Sequence, residues 1–122
     1  MMKHVAVMTA LLLFWGDPAL AQSAKAEIDR ASFFAEQAKK QSEEALFYFR
    51  NKRTSYACTF LGSALSYTNR AIGALKDARN LNSDATLLRR IESDLQARRG
   101  NRTAILEAGK VCPQGLADYD SD

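Results

Sequence analysis

Histidine, tryptophan and methionine are almost absent from this chain of 122 residues. His4 and Trp15 are the single residues of their kinds, and both lie before Gln22 together with Met1, Met2 and Met8. The chain from Gln22 onward offers no imidazole or thioether to a metal or haem, and two cysteines alone do not complete a zinc site. We therefore expect neither a metal nor a cofactor.

Glycine, proline and β-branched runs are also scarce from Gln22 onward. Pro113 is the only proline there, and Ala, Leu, Lys, Arg, Glu and Gln dominate. These six residue types are strong helix formers, and no run of Val, Ile or Thr indicates a strand. The composition predicts an all-α protein.

Motifs for catalysis are missing as well. The sequence has no glycine-rich phosphate loop and no nucleophile motif. The adjacent carboxylates of Glu43 and Glu44 point to different sides of a helix, whereas acid–base catalysis needs two carboxylates facing across a pocket. We expect a protein that is not an enzyme.

The N-terminal segment before Gln22 has the layout of a secretory signal peptide. Lys3 precedes an apolar stretch over residues 5–15, and Ala19-Leu20-Ala21 is a small-x-small cleavage site before Gln22. The apolar stretch is too short to span a bilayer comfortably. We expect residues 1–21 to be removed, no integral membrane segment to remain, and the protein to be periplasmic or secreted.

Apolar spacing predicts two long helices, over about 23–50 and 55–79. In each, small and apolar residues alternate at four and three positions, which is the heptad seam of a coiled coil. Asn51-Lys52-Arg53 is the predicted turn, with Thr54 or Ser55 as N-cap. Folding the chain back at Asn51 aligns two rows of alanines, one every seventh residue: Ala24 with Ala78, Ala31 with Ala71, Ala38 with Ala64, and Ala45 with Ala57.

A third helix is predicted from about residue 83, with Asn82 or Ser83 as N-cap and Asp84 favouring the positive helix end. Its apolar stripe fails near Gly100, where we expect a bend or a frayed turn. Gly109 is the predicted C′ residue. The expected fold is an up-down-up three-helix bundle over residues 22–115, whose helix 2 is central, followed by a disordered acidic tail over 116–122.

The two cysteines of an exported chain predict a disulfide between Cys58 and Cys112. The up-down-up order places both at one pole of the bundle. A thiol-disulfide oxidoreductase is the alternative from the enzyme class, but catalytic dithiols usually lie close in sequence with a lowered thiolate pKa.

Aromatic residues concentrate near the same pole. They either cap the bundle and pack the disulfide, or leave a docking surface exposed, because three consecutive aromatics of a helix cannot all face one core. The candidate partner-binding residues are Phe47, Tyr48, Tyr56 and Phe60.

Arginines cluster on the third helix. The chain carries a net charge of +3 although Asp118, Asp120 and Asp122 make its end acidic. The cluster is either a solvated face, with Asp94 pairing Arg98 at i, i+4, or a contact for phosphate, lipid head groups or an acidic partner. The candidate anion-binding residues are Arg98, Arg99 and Arg102.

Three functional hypotheses follow. The first is an exported helical protein that binds a protein partner as an adaptor, inhibitor or chaperone-like factor. The second is an envelope-surface protein that binds anionic lipid or polysaccharide through the helix-3 arginines, and the third is the oxidoreductase. Nucleic acid is not expected, because no base-stacking aromatics lie among the arginines. The sequence leaves the partner, the pathway and the oligomeric state open.

Overall fold

The computed structural model describes residues 18–82 and 84–116. The helices are α1 (Pro18–Arg50), α2 (Thr54–Asn80) and α3 (Ala85–Ala108), followed by a 3₁₀ turn over Gly109–Val111. The all-α, up-down-up bundle is confirmed. Residues 1–17 of the predicted signal peptide lie outside the described residues.

Helix α1 begins at Pro18, not near Ser23 as the spacing predicts. Proline suits the first turn of a helix, because its φ is already helical and its missing N–H would have no partner there. The helix therefore runs through the predicted cleavage bond between Ala21 and Gln22.

The turn between α1 and α2 lies where the sequence places it, at residues 51–53. Lys52 has a positive φ of 60°, and the Arg53 N–H donates to the Tyr48 carbonyl at 2.8 Å. The predicted caps are wrong, because Arg53 occupies the N-cap position of α2 without a side-chain cap and Thr54 is already helical. Hydrogen bonds from the turn to the end of α1 fix the entry into α2 instead.

Both alanine rows are buried in full. The exposed fraction of all eight alanines is 7% or less, and Ala24, Ala31, Ala71 and Ala78 belong to one core cluster. Side chains this small let two helices approach closely. Burial of both rows agrees with the predicted seam, while the residue-by-residue pairing stays a prediction.

Helix α2 is the central helix, as predicted. Twelve of its residues are buried, against three of α3: Ile91, Leu95 and Ile105. The core has two parts. The upper cluster joins α1, α2 and the first half of α3 around Ile72, and the lower cluster joins α1, α2 and the chain from Ile105 onward around Leu65.

The predictions for the start and middle of α3 need correction. Asp84 is the N-cap, with its carboxylate accepting from the Thr86 N–H at 3.2 Å, and Asn82 accepts from the Asp84 N–H at 2.6 Å. No break occurs near Gly100, since α3 is helical through Ala108. A helical glycine costs only about 1 kcal/mol relative to Ala, which the surrounding helix can offset.

The chain after α3 turns back over the pole. Gly109 has a right-handed φ of −73° and begins the 3₁₀ turn, so it is not the left-handed C′ residue that we expected. Leu116, the first residue of the predicted disordered tail, is only 6% exposed and belongs to the lower cluster. Residues 117–122 lie outside the described residues.

Leu116 packs directly on Gly109. A Cβ at Gly109 would lie 2.6 Å from Leu116 Cγ, whereas one at Gly100 would meet nothing within 4 Å. We expect Gly109→Ala to lower the free energy of unfolding by about 1 kcal/mol through overpacking. Gly100→Ala, the matched control, should raise it by about 0.5–1 kcal/mol through helix propensity. Urea unfolding followed by circular dichroism checks both, and equal effects of the two substitutions would contradict the packing of Leu116.

Candidate protein-binding surface

The predicted disulfide is present. Cys58 and Cys112 are joined with their Cα atoms 5.8 Å apart, across a sequence separation of 54 residues. Cys58 lies near the start of α2, and the 3₁₀ turn brings Cys112 back to it. The bond ties the end of α3 to the pole where α1 turns into α2.

The four candidate partner-binding residues meet around Tyr48, and we call them the Tyr48 cluster. The Tyr48 ring stacks on Phe60 at 5.3 Å between centroids and 6° between planes. Its centroid is also 5.4 Å from Tyr56, and Phe47 stands edge-on to it at 5.3 Å. Residues from both helices therefore form one continuous aromatic surface.

Local geometry explains the cluster. Tyr56 and Phe60 are four residues apart on α2 and so share one helix face. The short turn after Arg50 brings that face beside the last turn of α1, which carries Phe47 and Tyr48.

The aromatic residues of this pole are buried on one side and exposed on the other. Phe49 and Phe60 pack against the lower cluster next to the disulfide. Phe47 and Tyr56, in contrast, are each 56% exposed. The Tyr48 cluster is thus anchored at one side by the core and open to solvent at the other.

Cations border the Tyr48 cluster. The Arg53 guanidinium carbon lies 5.8 Å from the centroid of the Tyr56 ring, and both Arg50, the last residue of α1, and Lys52 of the turn are exposed. Glu44, which is also exposed, lies one helical turn before Tyr48. Positive charge therefore predominates at the turn end of this surface.

A second aromatic group, which we call the Phe34 cluster, comprises Phe33, Phe34 and Tyr67. Phe33 stands edge-on to Phe34 at 5.7 Å, and Phe34 lies 6.3 Å from Tyr67. Arg30 and Arg70 each place a guanidinium carbon within 6.0 Å of the Phe34 centroid. This cluster was not predicted, although the equal spacing of Phe33 to Phe47 and of Phe34 to Tyr48, two heptads in each case, was visible in the sequence.

The three candidate arginines do not share one open surface. Arg99 is exposed, while Arg98 and Arg102 are half-buried. The Nε of Arg98 is buried and has no hydrogen-bond partner. The predicted pair of Asp94 with Arg98 is wrong, since Asp94 Oδ2 instead lies 4.0 Å from Arg90 Nε.

Arg98 instead lines a groove of about 590 Å³ between α1 and α3. The groove lies where the apolar stripe of α3 fails, between Leu95 and Ile105. Its α1 wall consists mainly of small side chains, and charges of both signs border it: Glu36, Lys39, Asp94 and Arg98. This mixture does not favour an anion over a cation.

Residues 18–82 and 84–116 include no helix that is long and apolar enough to cross a membrane. Nor do any three His, Cys, Asp or Glu side chains of that part of the chain form a group that could hold a metal ion.

Comparison with models of protein families, with curated proteins and with solved structures finds no match to this chain.

Proposed function

We propose that this chain is an exported helical protein that acts by binding a protein partner through the Tyr48 cluster, and not by catalysis. The observation that carries the proposal is the contiguity of four rings, two of them more than half exposed, at one pole. Exposed apolar patches often mark interaction sites, and aromatic side chains are enriched among the residues that dominate binding energy.

The Tyr48 cluster is also preorganised. Tyr48 contacts three other rings, and the turn hydrogen bond from Arg53 holds the backbone at Tyr48. The disulfide restrains α2 beside Phe60, because Cys58 lies two residues before it in the same helix. Side chains that are already ordered lose little conformational entropy on binding, which favours affinity.

Export rests on two further observations. Residues 1–21 have the layout of a signal peptide, and a disulfide persists in an oxidising compartment. The proposed location is therefore periplasmic or secreted, where an adaptor, inhibitor or chaperone-like factor would meet its partner.

Photo-cross-linking in intact cells tests the proposal. The full chain is expressed in its own host with p-benzoylphenylalanine at Phe47, and with the same group at Arg89, an exposed α3 residue, as the control. We expect one discrete protein adduct from position 47 and none from position 89. Adding Tyr56→Ser to the chain with the photo-cross-linker at position 47 should reduce the yield of the adduct about tenfold, because one aromatic side chain that contacts the partner is lost.

Other outcomes would contradict the proposal. The same adducts from both positions, or an adduct from position 47 that Tyr56→Ser leaves unchanged, would show that the Tyr48 cluster does not bind. Salt-sensitive binding to phosphatidylglycerol vesicles, lost in Arg99→Ser but kept in Phe47→Ser, would favour the envelope-surface alternative.

A further inference from the structure

The two aromatic clusters repeat one arrangement along α1. In each, an exposed Phe stands edge-on to the ring that follows it in α1, and that ring lies beside aromatic rings of α2. Phe33 is 58% exposed and Phe47 is 56% exposed. The repeat belongs to α1, where Phe47 follows Phe33 by two heptads, whereas the α2 rings of Phe60 and Tyr67 are only one heptad apart.

This spacing puts both clusters on one face of the hairpin. Two heptads return a side chain to nearly the same helix side, about 21 Å further along the axis. Lys40, exposed and one heptad from each Phe, lies on the same stripe midway between them. We call this surface, from Arg30 to Arg53, the aromatic face.

The aromatic face lies on the side of the hairpin away from the groove to α3. The α1 wall of that groove includes Ser32, Glu36 and Lys39, and no residue of either aromatic cluster lines it. Ser32 and Phe34 flank the buried seam on opposite sides, since Ala31 and Ala35 are seam positions. Helix α3 therefore covers one side of the hairpin and leaves the aromatic side open.

Cations extend along the whole aromatic face. Arg30 and Arg70 lie over the Phe34 cluster, Arg53 lies over Tyr56, and Lys40 lies between the clusters. The balancing carboxylates are fewer, with Glu27 within 3.2 Å of Arg30 and Glu44 exposed nearer the turn. A second copy of this chain, packed antiparallel on this face, would bring cations at one end against cations at the other, which disfavours self-association.

We propose that the aromatic face binds an amphipathic helix of the protein partner, with apolar residues at heptad spacing and carboxylates on both flanks. This inference rests on the proposed function and names the partner's chemistry. A helix laid along α1 and α2 keeps the same heptad period, so its apolar side chains reach both clusters. Its carboxylates then face Arg30, Lys40 and Arg53.

Three labelled synthetic peptides, each three heptads long, test the inference by fluorescence anisotropy with the full chain. The first has Leu at heptad a and d positions with Glu on the flanks, the second has Lys in place of Glu, and the third keeps the Glu composition but alternates its Leu at period two. We expect micromolar binding of the first peptide, weakened by added salt, and at least tenfold weaker binding of the other two.

Three variants locate the binding. Phe33→Ser and Phe47→Ser should each weaken the first peptide about tenfold, which is about 1.4 kcal/mol. Leu46→Ser is the matched control, because Leu46 is 48% exposed on the same helix but adjoins the groove side of the seam. It should leave the affinity unchanged.

Several results would overturn the inference. One is that the first peptide fails to bind, or that the Lys peptide binds as tightly as the first. Another is that Phe33→Ser leaves the affinity for the first peptide unchanged, or that Leu46→Ser weakens it as much as Phe47→Ser does. Binding of phosphatidylglycerol vesicles that depends on Phe33 and Phe47, without peptide binding, would assign the face to a membrane instead. If no peptide binds while position 47 still gives its discrete adduct in cells, the partner does not bind through such a helix and the proposed function stands.

Discussion

Removal of the Cys58–Cys112 bond should lower the free energy of unfolding by roughly 4 kcal/mol. The bond closes a loop of 54 residues, and the chain-entropy model assigns about that loss when such a loop opens in the unfolded state. In the folded state the bond also holds Cys112 and Leu116 on the lower cluster. The cluster loses its closing segment if α3 frays at this end.

Urea unfolding of the double variant Cys58→Ser, Cys112→Ser measures the loss. The α1–α2 seam and the upper cluster around Ile72 do not involve the bond, so helicity should survive at low temperature. The control is wild type in reductant, which lacks the bond but carries no substitution. It should unfold at the same urea concentration as the double variant. If the free energy of unfolding falls by less than about 1 kcal/mol, other contacts hold the chain after α3 against α2 without the bond.

The reduction potential of the Cys58–Cys112 bond distinguishes a structural disulfide from a catalytic one. Cys112 is 7% exposed, which shields its sulfur from attacking thiolates, whereas Cys58 is only partly buried. A structural disulfide should have a reduction potential below about −300 mV. A potential in the range of catalytic dithiols would revive the oxidoreductase alternative.

The hairpin was predictable because its determinants are local and periodic. Alanines at every seventh residue favoured a close seam, and Asn51-Lys52-Arg53 lies between the two seams at the point where α1 ends. Helix caps were less predictable. Both Asn82 and Asp84 can accept a hydrogen bond from a backbone N–H, and only the folded structure shows that Asp84 accepts from Thr86 while Asn82 accepts from Asp84.

The aromatic surface was only half predictable. Proximity to the turn was enough to group Phe47, Tyr48, Tyr56 and Phe60, since a short turn places its flanking residues side by side. The contact of Phe34 with Tyr67 joins positions far apart in sequence and depends on the register of two long helices. The partial burial of Arg98 was not predictable for a similar reason, because it depends on the space that small α1 residues leave between α1 and α3.

Substitution of Leu for Ala64 should lower the free energy of unfolding by up to about 3 kcal/mol. Ala64 is fully buried at mid-hairpin, and overpacking a site without an outlet typically costs about 1–3 kcal/mol. Ala38→Leu should fall at the low end of that range, because Ala38 is 7% exposed and also borders the groove between α1 and α3, where a longer side chain can turn. Lys39→Leu is the control and should change little, because Lys39 is exposed at the edge of the groove and does not lie in the α1–α2 seam.

The register that these substitutions test also positions the aromatic face. If Ala38 and Ala64 meet, a leucine at either site pushes α1 from α2 and separates Tyr48 from Phe60, which stack at 5.3 Å. Ala64→Leu should therefore reduce the adduct from position 47 as well as the stability, whereas Lys39→Leu should affect neither. Unfolding curves and adduct yields of the same three variants measure both effects. Two results would refute the pairing of the alanine rows about Asn51. One is an Ala64→Leu chain as stable as wild type, and the other is a crystal structure in which the four alanine pairs are not the closest approaches of α1 and α2. Either result would require another register of the two helices for the aromatic face.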